Sequence, residues 1–160
     1  MTQIFQAPMG SVYSADELSI FLAGSIEMGA AENWQQTAIC TLEGLPVKIF
    51  NPRRDDWDSS WVQDIKNPQF YEQVNWELSH LERAKIKFFY FAPGTMSPIT
   101  LAELGFVLGL QRQYLSSVDG ESADKIYVVC PEGYERRGNV QIMCEREDIP
   151  CFTALDVGLS

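Results

Sequence analysis

Glu103 is the residue whose type and setting best suit chemistry. It lies in Ser97-Pro98-Ile99-Thr100-Leu101-Ala102-Glu103-Leu104-Gly105, directly after the apolar run Phe88-Phe89-Tyr90-Phe91-Ala92. A continuous apolar run marks a strand buried on both faces. Pro93-Gly94 ends that strand, and Ser97-Pro98 reads as a helix start, with Ser97 as N-cap and Pro98 in the first helical position. Glu103 then falls in the second helical turn, beside the carboxyl end of a parallel strand, where open α/β sheets bind ligands. A carboxylate there can be functional. The competing reading is a capping box, Thr100-x-x-Glu103, in which the carboxylate only satisfies a backbone N–H. The fit of Pro98 to the earlier start favours the first reading.

Two further loops could share a crevice with Glu103. Ala23-Gly24-Ser25-Ile26-Glu27-Met28-Gly29 follows an apolar strand. Its glycines could let backbone N–H groups approach a ligand closely, or could simply turn the chain. The pattern matches neither a Walker loop nor the dinucleotide G-x-G-x-x-G. Glu27 inside the loop would repel a phosphate by about 1 kcal/mol or more at close range, so a sugar hydroxyl suits it better. The other loop runs from Asn51 to Trp61 and carries Arg53, Arg54, Asp55, Asp56, Asp58 and two tryptophans. Loops of this length are usually functional or disordered, and tryptophans argue against disorder. Trp57 and Trp61 either stack on a flat base or form a lid packed on the core, the latter being the safer reading. The arginines and acids read as a solvated ion-pair cluster, from which one acid could reach the pocket.

These residues need a frame to position them. Residues 1 to 16 are polar and read as an irregular arm. Strands are expected at Leu18–Gly24, Pro46–Phe50, Phe88–Phe91, Lys125–Cys130 and Pro150–Thr153. Helices are expected from Ala30 to Leu42, Pro68 to Ala84, Pro98 to about Leu115 and Val140 to Glu145. The second helix has Phe70, Val74, Leu78 and Leu81 as its apolar stripe, with Asn75 and Glu77 off it. A polar turn is expected from Asp119 to Asp124. Strict alternation of strands and helices predicts an α/β, flavodoxin-like three-layer sandwich with a parallel five-stranded sheet in the order 2-1-3-4-5. That order brings the three loops to one switch-point crevice.

The 160 residues, 46% of them hydrophobic, fit one domain with a sizeable core. A net charge of −10 argues against nucleic acid and anionic membrane surfaces as partners, because both need a basic face. No stretch has the length of a membrane span, and the first ten residues lack the pattern of a signal peptide, so a cytoplasmic protein is expected. Cys40, Cys130, Cys144 and Cys151 form no C-x-x-C pair and read as buried free thiols. His80 has no partner at ligand spacing, so neither a metal nor any other cofactor is expected.

Four segments together carry a resemblance: Phe21-Leu22-Ala23-Gly24-Ser25-Ile26-Glu27-Met28-Gly29, Asn51-Pro52-Arg53-Arg54, Asn75-Trp76-Glu77-Leu78 and Ser97 to Gly105. Their types and order resemble the nucleoside 2-deoxyribosyltransferase-like family. The resemblance implies a flavodoxin-like fold, a homo-oligomer and cleavage of the N-glycosidic bond of a nucleoside or related small molecule. It implies that Glu103 is the catalytic nucleophile, attacking the anomeric carbon to give a covalent glycosyl-enzyme from which a second base or water takes the sugar. A carboxylate suits both steps, as nucleophile and as leaving group. The implied substrate-binding set is Gly24, Ser25, Glu27 and Ser97 toward the sugar, with Asn51, Asp55, Asp56, Trp57 and Glu77 around the rest of the pocket. One departure stands out. Family members generally carry Ala-Asp at the start of the third strand, where this chain has Ala84-Lys85. Either Asp55, Asp56 or Glu77 substitutes for that acid, or the reaction is slow or absent. The alternatives are therefore a protein of the same fold that binds a nucleoside or nucleotide derivative without turnover, and an interaction subunit.

Overall fold

The computed structural model describes residues 1–11, 13–14, 16–27, 31–117 and 124–160. Six strands and five helices follow one another: β1 Gln3–Gln6, β2 Leu18–Gly24, α1 Trp34–Thr41, β3 Val47–Asn51, α2 Pro68–Arg83, β4 Ile86–Tyr90, α3 Pro98–Ser117, β5 Lys125–Val129, α4 Arg137–Arg146, β6 Cys151–Phe152 and α5 Leu155–Leu159. All strands pair in parallel in one sheet, in the order β1-β3-β2-β4-β5-β6. The expected five-stranded order is present within it. The correction is at the edge: Gln3–Gln6, expected as irregular, adds a sixth strand beside β3. Thr2 helps to anchor it, its hydroxyl reaching the Leu42 and Leu45 carbonyls at 3.2 and 2.8 Å.

Alternation along the central strands splits the core into two layers. Phe21, Ala23, Phe89, Phe91 and Val128 face one side, where Trp76 and Leu81 of α2, Leu104, Val107 and Leu108 of α3, and Val140 and Cys144 of α4 cover them. Leu22, Phe88, Tyr90 and Val129 face the other side, under Trp34, Ala38 and Ile39 of α1 and Leu155 and Leu159 of α5. With α1 on one face and α2 and α3 on the other, the chain changes direction between β2 and β4. That is the switch point where the loops were expected to converge.

Local signals fix the helices that matter. Asn67 caps α2, its side chain accepting from the Gln69 and Phe70 amides, and Pro68 occupies the first turn. α3 begins at Pro98, as the sequence predicts, so Glu103 is its sixth residue and lies beyond capping range. α1 is shorter than expected, starting at Trp34 behind an Asn33 cap. The proposed start at Ala30, Gly29 and the polar turn from Asp119 to 123 lie outside the described residues.

The buried side of α2 is rotated from the expected stripe. Gln73, Trp76, His80 and Leu81 are buried, whereas Leu78 is 41% exposed. The cause is the N-terminal arm. Tyr13 stacks on Phe50, Phe50 stacks on His80, and His80 meets Trp76 edge-on, while Trp76 donates its indole N–H to the Met9 carbonyl at 2.8 Å. This aromatic stack turns the polar flank of α2, including Glu77, toward α3. The cysteines divide as well: Cys130 and Cys144 are buried and Cys151 partly so, but Cys40 is exposed on α1. Among the described residues, no helix is long and apolar enough to cross a membrane.

Candidate functional site

Glu103 on α3 and Glu77 on α2 form an acidic pair between two helices on the same face of the sheet. In a helix, Cα–Cβ bonds tilt toward the N-terminus. The N-termini of α2 and α3 both lie at the carboxyl edge of the sheet, so both side chains lean toward that edge. Glu103 holds its proton well above the usual carboxylate range, first because burial penalises its charged form and second because the Glu77 charge repels it. Burial raises Glu77 too, opposed by a hydrogen bond from Gln73. Near neutral pH the two groups therefore share protons as a unit.

Gln73 ties this pair to the loop after β3. Its amide nitrogen donates to the Pro52 carbonyl at 2.9 Å and to Glu77 Oε1 at 2.7 Å. Its own carbonyl oxygen is buried with no hydrogen-bond donor. Gln73 is a site residue that the motif reading missed, although its i, i+4 spacing from Glu77 made it legible.

The switch-point loops meet in a compact knot of hydroxyls. Ser25 Oγ lies 2.5 Å from Ser97 Oγ and 3.0 Å from Thr95 Oγ1, and it accepts the Ala92 amide at 2.9 Å. Thr95 Oγ1 lies 2.7 Å from Ser97 Oγ. Glu27 closes the knot from the other loop, its Oε1 accepting the Ser97 amide at 2.9 Å. Glu27 and Ser97 both adopt left-handed backbone, with φ of 48° and 44°. Strain in two non-glycine residues at one contact is the kind that functional loops retain. Gly24 has a packing role: a Cβ there would overlap the Tyr90 carbonyl and stand 2.5 Å from Trp34 Cζ2. The adjacent Ser25 amide donates to Tyr90 at 3.1 Å, and Trp34 Nε1 donates to the Ser25 carbonyl at 3.1 Å.

The Asn51–Trp61 loop has its own internal order. Asn51 is buried and accepts the Arg53 amide at 3.0 Å. Arg53, read from the sequence as part of a solvated cluster, instead clamps the segment before α1. Its guanidinium donates to the carbonyls of Ala31 at 2.7 Å and Glu32 at 2.8 Å. Arg54 pairs with Asp56 at 2.9 Å and lies over Trp61. Asp55 is exposed, receives a long contact of 3.4 Å from Gln6 and interacts electrostatically with Arg53. Trp57 and Trp61 pack edge to face, with centroids 4.9 Å apart, and neither belongs to the core clusters, so they are not the core-packed lid the sequence suggested. Trp57 Nε1 and Arg54 Nη1 are buried without acceptors.

Of the expected set, Ser25, Glu27 and Ser97 come together directly, and Glu77 joins Glu103. Asn51 belongs to the same edge through its loop, while Asp56 and Trp57 make their contacts within that loop and Asp55 meets Gln6 of β1. Of the three acids offered as substitutes for the missing aspartate, Glu77 is the one electrostatically coupled to Glu103. Lys85 precedes β4 at the amino edge, where its carbonyl accepts the Lys125 amide at 2.9 Å and its amide donates to Ser19 Oγ at 3.0 Å. The five residues of β4 separate it from the switch-point loop by about 16 Å. The departure at that position thus falls at the opposite edge from the hydroxyl knot.

Two hollows are defined elsewhere. One, of about 630 Å³, lies against the outer side of α2 at Lys66, Tyr71 and Glu72. The other, of about 390 Å³, opens at the amino edge beside Lys87, Gln111 and Asp124. Neither is lined by Glu103. Among the described residues, no group of three or more His, Cys, Asp or Glu side chains is arranged to hold a metal ion.

A comparison with curated proteins finds no match for the chain. The family model described as "Nucleoside 2-deoxyribosyltransferase like" matches residues 17–120, from the start of β2 past the end of α3, and so spans both glutamates and the switch-point loops. By that match, over most of its length, the chain belongs to the nucleoside 2-deoxyribosyltransferase-like family.

Proposed function

We propose that this protein cleaves the N-glycosidic bond of a nucleoside, with Glu103 as nucleophile and Glu77 as the acid that protonates the departing base. The observation that carries this reading is the coupled pair itself: two carboxyl groups from different helices, with proton affinities raised by burial and by charge repulsion. Pairs in which one carboxyl is ionised and the other protonated near pH 7 are the means by which glycosidic bonds are broken.

The productive form is the less populated of the two singly protonated forms: Glu103, the more strongly raised group, is ionised and Glu77 holds the shared proton. A Glu103 oxygen bonds to the anomeric carbon as the carbon–nitrogen bond breaks, and that electron pair passes to the base nitrogen, which takes the proton from Glu77. The resulting Glu77 carboxylate then removes a proton from an incoming base or water, which displaces Glu103. Gln73 is a positioning residue, holding Glu77 Oε1. The hydroxyls at Ser25, Thr95 and Ser97, with Glu27, suit the sugar, and the Asn51–Trp61 loop suits the base.

The second reading is a protein of the same fold that holds such a ligand without turning it over, kept open by Lys85 in place of the family aspartate. A homo-oligomer would enclose the acidic pair. Ile99, Phe106 and Leu110 are 65%, 39% and 42% exposed and share one side of α3 with Glu103, so a second copy covering them would also wall the pair.

The test is incubation with each deoxynucleoside and ribonucleoside, with and without an acceptor base, following base release and exchange. Turnover that disappears in Glu103→Gln and falls at least about 100-fold in Glu77→Gln supports the enzyme. Ligand-induced thermal stabilisation without turnover establishes the binder. Full activity in Glu103→Gln would remove Glu103 from the nucleophile's role.

A further inference from the structure

Three cysteines distant in sequence meet under α4. Cys151 opens β6 opposite Val128 of β5. Cys130 follows β5, and its amide donates to the Phe152 carbonyl at 2.8 Å. Alternation directs Val128 and Cys130 into the core layer beneath α4, and Cys151 packs against that same layer. Cys144, in the last turn of α4, is 1% exposed and faces it from above. The intervening chain folds back tightly, with the Ile149 amide donating to the Cys144 carbonyl at 2.9 Å. The Cys144 and Cys151 side chains are neighbours in this layer, close enough for each to shift the other's titration. Arg137, fixed by its Nε on the Cys130 carbonyl at 3.1 Å, supplies a positive charge. Cys151 is partly exposed, and all four cysteines are free.

We propose that Cys151 and Cys144 form a thiol pair that reacts with hydrogen peroxide to give a reversible disulfide. The thiolate is the reactive form of a cysteine. Cys151 is held below the usual thiol range by the neighbouring Cys144 thiol and, against its burial, by Arg137. The same contact and burial raise Cys144. The pair thus has a partly exposed nucleophile and a protonated, buried partner.

The steps balance. The Cys151 sulfur attacks one peroxide oxygen. A sulfur–oxygen bond forms, the oxygen–oxygen bond breaks, and hydroxide leaves and is protonated to water. Cys144 then loses its proton, and its sulfur attacks the Cys151 sulfenic sulfur. The disulfide forms, the sulfur–oxygen bond breaks, and a second water departs. Two thiols lose two electrons in total, and one peroxide becomes two waters. A small-molecule thiol reverses the change by exchange. The product ties the end of α4 to β6 across the turn through Ile149.

The experiment treats the full chain with stoichiometric hydrogen peroxide at pH 7 and maps its cysteines by peptide mass spectrometry without reductant. The Cys144–Cys151 disulfide should form at least about tenfold faster than exposed Cys40 is oxidised. In Cys144→Ser the reaction should stop at a Cys151 sulfenic acid that dimedone traps. The relative alkylation rates of Cys151 and Cys40 by iodoacetamide in the unaltered protein, which need no variant, should show the same order. Oxidation of Cys40 first, a Cys130–Cys151 disulfide in its place, or slower alkylation of Cys151 than of Cys40 would each overturn the proposal.

Discussion

Glu77→Gln isolates the acidic pair from every other contribution to the fold. Glutamine keeps an oxygen that can accept the Gln73 amide, so the 2.7 Å bond survives while the charge is removed. In the intact pair both carboxyls bind protons more tightly folded than unfolded. Such a group stabilises the fold below its unfolded-state titration, and that contribution is lost as the pH rises through the folded-state titration. The protein should therefore lose stability on going from pH 6 to pH 9. Two unit charges about 4 Å apart repel by about 4 kcal/mol at an effective dielectric of about 20, and less when further apart or wetter. Relief of about 1–3 kcal/mol is the expected scale. Urea unfolding of both proteins at pH 6 and pH 9 measures it as the difference between two differences, in which all other titrating groups cancel. The loss on raising the pH should be smaller in the variant by that amount. A stability in the unaltered protein that does not change over this range, or a variant that falls as steeply, would refute the coupling.

Gly24→Ala forces a Cβ onto the Tyr90 carbonyl and Trp34 and should lower stability by about 1–3 kcal/mol in denaturant unfolding, with α1 displaced first in hydrogen exchange. Arg53→Ala removes the donors to Ala31 and Glu32; it should raise KM for any nucleoside turned over more than it lowers kcat, and cost about 1–3 kcal/mol. His80 is held down to about 4 by burial and then by Arg83, so its contribution is present above the unfolded histidine range and is lost as the pH falls through that range toward 4. His80→Phe, which keeps the stack on Phe50, should flatten the acid side of the stability profile between pH 6 and 4, read by thermal unfolding.

The parts of this fold that were legible in the sequence are those set by local chemistry. β2, β4 and β5 announce themselves as apolar runs because both faces of the sheet are covered. The starts of α2 and α3 follow from Asn67-Pro68 and Ser97-Pro98, and with the latter comes the position of Glu103. β1 was hidden because Gln3–Gln6 has no apolar alternation, and its order comes from pairing with β3 across more than forty residues. The face of α2 was misread because the rings that rotate it, Tyr13 and Phe50, lie in other segments. The hydroxyl knot had the same origin: Ser25 and Ser97 are ordinary turn residues until the switch point brings them to 2.5 Å.

The family match begins at residue 17, yet the segment ahead of it holds the helix that carries one of the two acids. Met9 grips Trp76, the residue before Glu77, and Tyr13 leans on His80, three residues after it. A version trimmed to the family boundary would keep both glutamates and every motif while releasing the support that aims one of them. Relatives of this chain should accordingly brace that helix by some other means, or share the leading segment.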